Sequence, residues 1–479
     1  MAQRTSLARG TVLGVTAQFW QLVTAFLLYH FIATRLGPAG FGQWRVTLSI
    51  LNYFEMFVTG GLVQVASKRL AENPQDDQRI ERSAYFAQMV FAGALFLVVE
   101  AGAGVMAAAL RAPYLEAFIR IAALDIPVVA AFMLSSHLRL GRQHFARQVG
   151  GMLAYATAKF VAIGALVYFG FSVPGALVGN ALSSIVGFAV LFAPWKKTGE
   201  RIRDIAADAR GMGPAAVPFW AQSLVSGVSS DADLWFVQAF RGSAAAGFYG
   251  GAAALAEIMS FLFAGLSRVL FPSVARAGAQ GDETLVARYA TQGVRLAVIV
   301  TVLGVAVIAA TGGAALSLVD TPAFAAAAIP FTILMIAAVG RNVRATCNDV
   351  MMGRGHRRQA LTIIVAATVA DVALLAVITP AYGQTGAAVA AAVAAVGAGV
   401  AGVWALRGLF GWRIAWTLAR TVGAGAVVGT LLALVRPVGL WLLPAYLVAS
   451  VAYATLLLLL GELDDDDLAS LRRVVRRAG

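Results

Sequence analysis

Long apolar stretches dominate the chain, and short polar clusters separate them at fairly regular intervals. A helix needs about 20 mostly apolar residues to cross the hydrocarbon core of a bilayer. Runs of that kind fall at 11–34, 41–66, 83–109, 114–138, 149–169, 174–194, 214–240, 244–275, 286–311, 316–340, 360–379, 383–406, 415–435 and 440–461. The pattern predicts an all-α polytopic membrane protein of about fourteen transmembrane helices. The edges are least sharp over 312–347, where Gly312, Gly313 and Pro322 interrupt the run. The first run follows Arg4 and Arg9 and exceeds the roughly 7–15 apolar residues of a cleavable signal, so it reads as the first span.

Composition agrees with the pattern. Of 479 residues, 60% are hydrophobic and 13% charged, and the mean hydropathy is +0.78. A soluble domain carries about 25% charged residues, so this chain lacks the charge to cover a water-exposed surface.

The net charge of +13 reports topology, with no nucleic acid as partner. A nucleic-acid binder gathers its basic residues in one patch; here they sit between the apolar runs. The segments that a cytoplasmic N-terminus places inside hold 27 Lys and Arg, and the opposite loops hold only Arg35, Arg111, Arg241 and Arg436. That alternation is the positive-inside rule, with both termini cytoplasmic. No Lys follows a Gly, so no phosphate-binding P-loop is present. One cysteine, Cys347, and four scattered histidines (His30, His137, His144 and His356) offer no metal cluster. No cofactor and no catalytic residue is expected, and the chain does not read as an enzyme.

The sequence also repeats. Gly37-Pro-Ala-Gly-Phe-Gly42-Gln-Trp44 recurs 205 residues later as Gly242-Ser-Ala-Ala-Ala-Gly247-Phe-Tyr249. Both copies join an outward-running helix to an inward-running one, and an even number of helices separates them. That is a parallel repeat, with the two halves related by an axis along the membrane normal. It predicts two pseudo-symmetric six-helix lobes, 1–194 and 214–406, joined by a cytoplasmic linker over 195–213. Two C-terminal helices over 407–461 and a cytoplasmic amphipathic tail over 462–479 complete the chain; that tail could lie on membrane lipids.

Ionisable residues at membrane depth cost about 2.5–3.5 kcal/mol on insertion scales, so each is a functional candidate. The basic set is Arg45, Arg120, Lys159, Arg268 and Arg295. Arg420 is near enough to the inner interface to reach it. Lys159 is about mid-span and has no charged neighbour within a turn, which favours a cavity role. Glu116 lies four residues before Arg120 and should pair with it. The acidic set is Glu55, Glu100, Glu116, Asp125, Asp231, Asp233, Glu257 and Asp371. Asp231 and Asp233 point to different sides of a helix and cannot share one partner. For each of these charges the alternative role is an ion pair that fixes helix packing.

The segment Ala33-Thr-Arg-Leu-Gly37-Pro-Ala-Gly-Phe-Gly42-Gln-Trp44, running into Leu48-Ser-Ile and Gly60-Gly61-Leu62, resembles the first hairpin of polysaccharide flippases. So do Asp233-Leu-Trp-Phe-Val, Gly247-Phe-Tyr249 and Leu270-Phe-Pro272. These flippases belong to the multidrug, oligosaccharidyl-lipid and polysaccharide exporter superfamily. Gln43 and Trp44 depart from the usual small or aromatic pair. The resemblance implies an inner-membrane flippase for a polyprenyl-diphosphate-linked oligosaccharide, working beside a polysaccharide polymerase. A cationic cavity would open alternately to each side, with Lys159, Arg45, Arg268, Arg295 and Arg120 as its basic candidates. Coupling to H⁺ or Na⁺ is open at the family level, with Asp233, Asp231, Glu257, Glu55 and Asp371 as candidate carboxylates.

Three other readings stay open. A multidrug antiporter of the same superfamily would favour an acidic cavity and twelve spans. A lipid II flippase shares the fourteen-span plan. A membrane glycosyltransferase or polymerase would need an extended outer loop for its catalytic groups, and none of the predicted outer loops is extended.

Overall fold

The computed structural model describes residues 2–192, 202–319, 322–410 and 413–462, and every regular element among them is helical. The α-helices are α1 (Ala2–Thr59), α2 (Leu62–Glu72), α3 (Asp77–Ala109), α4 (Leu115–Ala123), α5 (Asp125–Gly141), α6 (Phe145–Tyr168) and α7 (Ser172–Leu191). They continue as α8 (Ile202–Arg210), α9 (Gly213–Ala279), α10 (Glu283–Val319), α11 (Ala328–Gly353), α12 (Arg357–Ala405), α13 (Arg413–Val435) and α14 (Leu442–Leu459). Among the described residues, ten helical stretches are long and apolar enough to cross a membrane. The predicted tail beyond Glu462 and residues 193–201 of the predicted linker lie outside the described residues.

Helices and predicted spans do not correspond one to one. Three long helices each bend at one glycine: Gly37 (φ 64°, ψ −178°), Gly242 (φ 79°, ψ −177°) and Gly383 (φ 60°, ψ −139°). At Gly37 and Gly242 that combination is open essentially to glycine alone. Each bend falls in or beside a predicted loop, so one bent helix holds two predicted spans. Elsewhere a predicted span is cut in two. The run 41–66 breaks at Gly60-Gly61, where a Cβ on Gly61 would come within 2.4 Å of the Trp220 indole nitrogen. The run 114–138 breaks at Leu124, three residues before Pro127 in the first turn of α5. Proline has no N–H to give the preceding turn, which favours a new helix start there.

The helices fall into two compact units, residues 1–247 and 248–479. In the first unit the two repeated turns meet. A Cβ on Gly42 would sit 1.9 Å from the Ser243 carbonyl oxygen, and one on Gly247 would sit 1.9 Å from that of Pro38. Ser243 and Pro38 hold the same place in the two copies, so the contact is reciprocal, as in a two-fold interface. A core of Leu62, Val63, Leu134, Leu138 and Met212, with Trp220 against it, joins α2, α5 and the start of α9. α8 is tied to α3 by Arg79 Nε on Asp208 Oδ2 at 2.5 Å. Arg142, between α5 and α6, bonds both Asp77 and Glu81. Burial pulls its guanidinium down, but the hydrogen bonds to those carboxylates outweigh burial and leave it above its ordinary value.

In the second unit, Leu270, Val274, Val294, Val298, Cys347 and Val350 form a core between the second arm of α9, α10 and α11. A smaller cluster of Ile299, Val428, Leu432, Ala449 and Tyr453 seats α13 and α14 on α10. One predicted boundary moves. The run 316–340 ends where Arg341 breaks the hydropathy, yet α11 continues to Gly353. Asn342, Val343, Thr346, Cys347, Val350 and Met351 are buried at helical spacing and carry the helix past the arginines.

Candidate functional site

The first unit buries a polar cluster at the junction of four helices. Asp125 stands in the first turn of α5, at the break beside Pro127, and is 1% exposed. Asn180 on α7 donates its Nδ2 hydrogen to Asp125 Oδ2 at 2.6 Å. The Glu55 carboxyl, from the second arm of α1, is near enough to Asp125 for their charges to interact. Tyr155 and Lys159 come from successive turns of α6. Lys159 Nζ donates to the Tyr155 hydroxyl at 3.3 Å and stands 5.5 Å from the centre of that ring, which stacks on Phe132 at 4.9 Å.

Lys159 is near enough to Glu55 and Asp125 to feel both charges, yet among the described residues it closes no direct ion pair. Its side chain keeps part of its surface accessible although protein surrounds it. Three oxygens of the cluster (Glu55 Oε1, Asp125 Oδ1 and Asn180 Oδ1) are buried with no donor among the described residues.

The other predicted basic residues separate into different environments. Arg45 is 7% exposed and donates to the Tyr29 hydroxyl at 2.6 Å, inside an aromatic nest with Phe41 and Trp44. Arg120 pairs with Glu116 at 2.8 Å and meets Glu100 at 3.9 Å, on an exposed face. Arg295 on α10 is clamped by Glu462 at 2.8 Å. The side chain of Arg268 lies outside the described residues. Among the carboxylates, Asp231 and Asp233 are half-buried on the first arm of α9, Glu257 is exposed, and Asp371 is buried on α12.

Two further arginines escaped the reading of the sequence because they were counted as loop charges. Arg341 and Arg344 lie one turn apart within the span formed by Pro322–Gly353, both half-buried. Neither has an ion-pair or hydrogen-bond partner among the described residues. Asn348 continues their stripe towards the C-terminal end of α11, while Pro330 and Ala337 on the same stripe are buried. The detectable signal was the helical spacing of the buried positions from Asn342 to Met351. A further feature of this unit is an apolar groove of about 590 Å³ between α13 and α14, lined by Leu431, Val435, Trp441 and Val448 with Arg436 at its rim.

An all-α bundle with ten described helical stretches long and apolar enough to cross a membrane defines the class of multi-pass membrane proteins. Within that class the chain belongs to the polysaccharide biosynthesis protein family, whose model matches residues 7–277. Its fold is similar to that of the lipid II flippase MurJ in an inward closed conformation, at TM-score 0.78 and 11% identity over 93% of this chain and 98% of that one. It is also similar to an inward-facing multidrug resistance MATE family transporter of the MOP superfamily, at TM-score 0.67 and 15% identity over 81% and 94%. An outward-facing transporter of that kind superposes at TM-score 0.55 and 15% identity, over 85% and 94%. At these identities the likeness is one of fold. No curated protein matches the chain.

Proposed function

We propose that the chain is a flippase that moves a polyprenyl-diphosphate-linked oligosaccharide across the inner membrane by alternating access. The carrying observation is a set of basic side chains inside membrane spans on which, among the described residues, no carboxylate closes: Lys159 in the first unit, Arg341 and Arg344 in the second. A diphosphate head needs such groups where water is scarce, and paired guanidinium groups suit phosphate oxygens geometrically. The lipid tail can remain in an apolar environment such as the groove between α13 and α14. The MurJ and MATE likenesses support the transport class, and the family supports a glycan cargo. In this reading residues 1–194 and 214–406 act as two six-helix lobes, the chain crosses the membrane fourteen times, and both termini are cytoplasmic. It carries its cargo unchanged and hands it to a polymerase on the outer side.

The test is transport by purified protein in vesicles, with a short-chain polyprenyl-diphosphate oligosaccharide as cargo. The wild type should move it, and the double variant Arg341→Gln, Arg344→Gln should lose most of that activity while remaining folded. Movement of an uncharged lipid-linked sugar at the same rate, or of lipophilic cations in place of the glycan lipid, would sink the reading.

A further inference from the structure

The long helix α12 bends at Gly383, and residues from both of its ends line one hollow of about 600 Å³, among them Gln359, Thr362, Trp404 and Arg407. A second hollow of about 610 Å³ shares Thr362 and continues along the first arm between Leu361, Val365, Ala366, Val369 and Ala373. The first hollow holds the polar groups; the second is apolar apart from Thr362. Leu361, Val365 and Val369 are exposed, so this trough opens on the surface of the bundle. From Thr362 to Ala373 it covers about 16 Å at the helical rise of about 1.5 Å per residue. That is half of a hydrocarbon core of about 30 Å, the depth of one leaflet.

The polar end carries one sign of charge. No Asp or Glu stands between Asp349 and Asp371, or between Asp371 and Glu462, whereas Arg357, Arg358 and Arg407 fall within those stretches. Among the described residues, the side chains of these three arginines and of Gln359 have no ion-pair or hydrogen-bond partner. The Arg407 guanidinium lies 4.7 Å from the centre of the Trp404 ring. Cation–π attraction holds it there and leaves its N–H edge for oxygen acceptors. Arg358 stands one turn before Thr362, whose hydroxyl donates to the Arg358 carbonyl at 2.9 Å. Both residues therefore lie on the helix face that carries the trough.

We propose that this face of α12 is a binding site for an anionic phospholipid of the bilayer. Arg407, Gln359 and Arg358 take the phosphate, and one acyl chain follows the trough from Thr362 to Ala373. A phosphate is held best by donors with no competing carboxylate, which is the arrangement at the polar end. A zwitterionic lipid would bring its own cation among the arginines and lose that advantage. Because the head group touches both ends of α12, the bound lipid bridges the bent helix and stabilises the second unit by mass action. The site shares no residue with the basic groups assigned to the cargo, so it stands whatever the chain transports.

Titration of the full-length protein in detergent with dioleoyl phosphatidylglycerol, read by native mass spectrometry, tests the site. The first phosphatidylglycerol should bind more tightly than phosphatidylcholine. Arg358→Gln and Arg407→Gln should each weaken it about fivefold, the scale for one arginine at an anionic lipid surface. Ala366→Phe with Ala370→Phe, which fills the trough at unchanged charge, should lose lipid as well. The control is Arg35→Gln, which removes an exposed arginine 5.1 Å from the centre of the Tyr168 ring and should change nothing. Without lipid, Arg407→Gln should unfold at the wild-type temperature, and with phosphatidylglycerol only the wild type should gain. Equal affinity for the two lipids, full retention in both arginine variants, or an equal loss in Arg35→Gln overturns the proposal. So does full retention in the filled variant, or displacement by glycerol 3-phosphate, since either leaves a phosphate contact with no use for the trough. A lower unfolding temperature of lipid-free Arg407→Gln would make that arginine a packing residue and also overturn it. Displacement by farnesyl diphosphate at far lower concentration would assign the hollow to a diphosphate lipid instead.

Discussion

Lys159 and Arg295 are both basic residues within membrane spans, and the protein treats them in opposite ways. Arg295 reaches a carboxylate that is itself saturated: Glu462, 5% exposed, accepts from Arg295 Nε at 2.8 Å, Thr417 Oγ1 at 2.6 Å and Arg420 Nη1 at 3.4 Å. The clamp ties the N-terminal halves of α10 and α13 to Glu462, just past the end of α14. Lys159 is near Glu55 and Asp125, yet among the described residues it hydrogen-bonds the Tyr155 hydroxyl and no carboxylate closes on it. A saturated charge is part of the packing. A charge on which no carboxylate closes is available to something that arrives and departs.

The largest separation between the two sites should appear in transport. Lys159→Ala should reduce glycan export at least tenfold, the size of a lost charge-assisted contact of about 1.5–3 kcal/mol, and leave protein abundance unchanged. Lys159→Arg should keep part of the activity. Loss of the protein from the membrane on Lys159→Ala, with rescue by Asp125→Asn, would make Lys159 a packing residue and erase the contrast with Arg295.

Arg295 should show the reverse profile. Replacing Glu462 with Gln strands two guanidinium groups, and breaking one side of a buried pair costs about 3–5 kcal/mol. Thermal unfolding in detergent should fall accordingly. Adding Arg295→Met to the Glu462→Gln protein should recover much of the loss, because the more buried of the two stranded charges is gone. If instead the double variant is stable but inactive, Arg295 belongs to the transport path.

How far the sequence reveals these sites depends on the distance over which each is assembled. The bends at Gly37 and Gly242 are legible because a backbone that only glycine adopts leaves a glycine at the same place in both copies of the repeat. The Arg120–Glu116 pair is legible because both ends lie on one helix, four residues apart. The Glu55, Asp125, Lys159 and Asn180 cluster draws on four helices, and no local pattern relates its members. Pro127 did signal a break beside Asp125, although apolar run length alone passes over it. Arg295 and Glu462 are 167 positions apart and meet only because α14 returns to the side of α10. Arg341 and Arg344 were hidden for a different reason: hydropathy ends a span at a charge, whereas packing continues α11 through it.

A smaller effect comes from the reciprocal turn contact. Alanine at Gly42 or Gly247 would place a Cβ against backbone oxygen, which cannot move away as a side chain would. Each substitution should cost about 1–3 kcal/mol, the usual scale for overpacking, measured as a lower unfolding temperature. Gly93 on α3 is the control, because a Cβ there meets nothing within 4 Å. Gly93→Ala should be neutral or stabilising by about 0.5–1 kcal/mol, since alanine is the better helix former. Equal effects at Gly42 and Gly93 would mean that the two turns do not meet in the membrane.

The smallest effect should come from Arg120, and it sharpens the distinction between a charge that packs and one that works. Its side chain is 52% exposed and already pairs with Glu116 at 2.8 Å within the same helix, with Glu100 at 3.9 Å. Exposed pairs of this kind contribute about 0–1 kcal/mol, so Arg120→Gln should shift the unfolding temperature little. Export should change less than about twofold, because a guanidinium held by two carboxylates has little positive charge to offer a diphosphate. The informative companion is Glu100→Gln with Glu116→Gln, which releases Arg120. If that pair of changes raises affinity for a diphosphate lipid and Arg120→Gln abolishes the gain, Arg120 is a basic group kept closed by its partners. A tenfold loss of export from Arg120→Gln alone would place it beside Lys159 among the residues that handle the cargo.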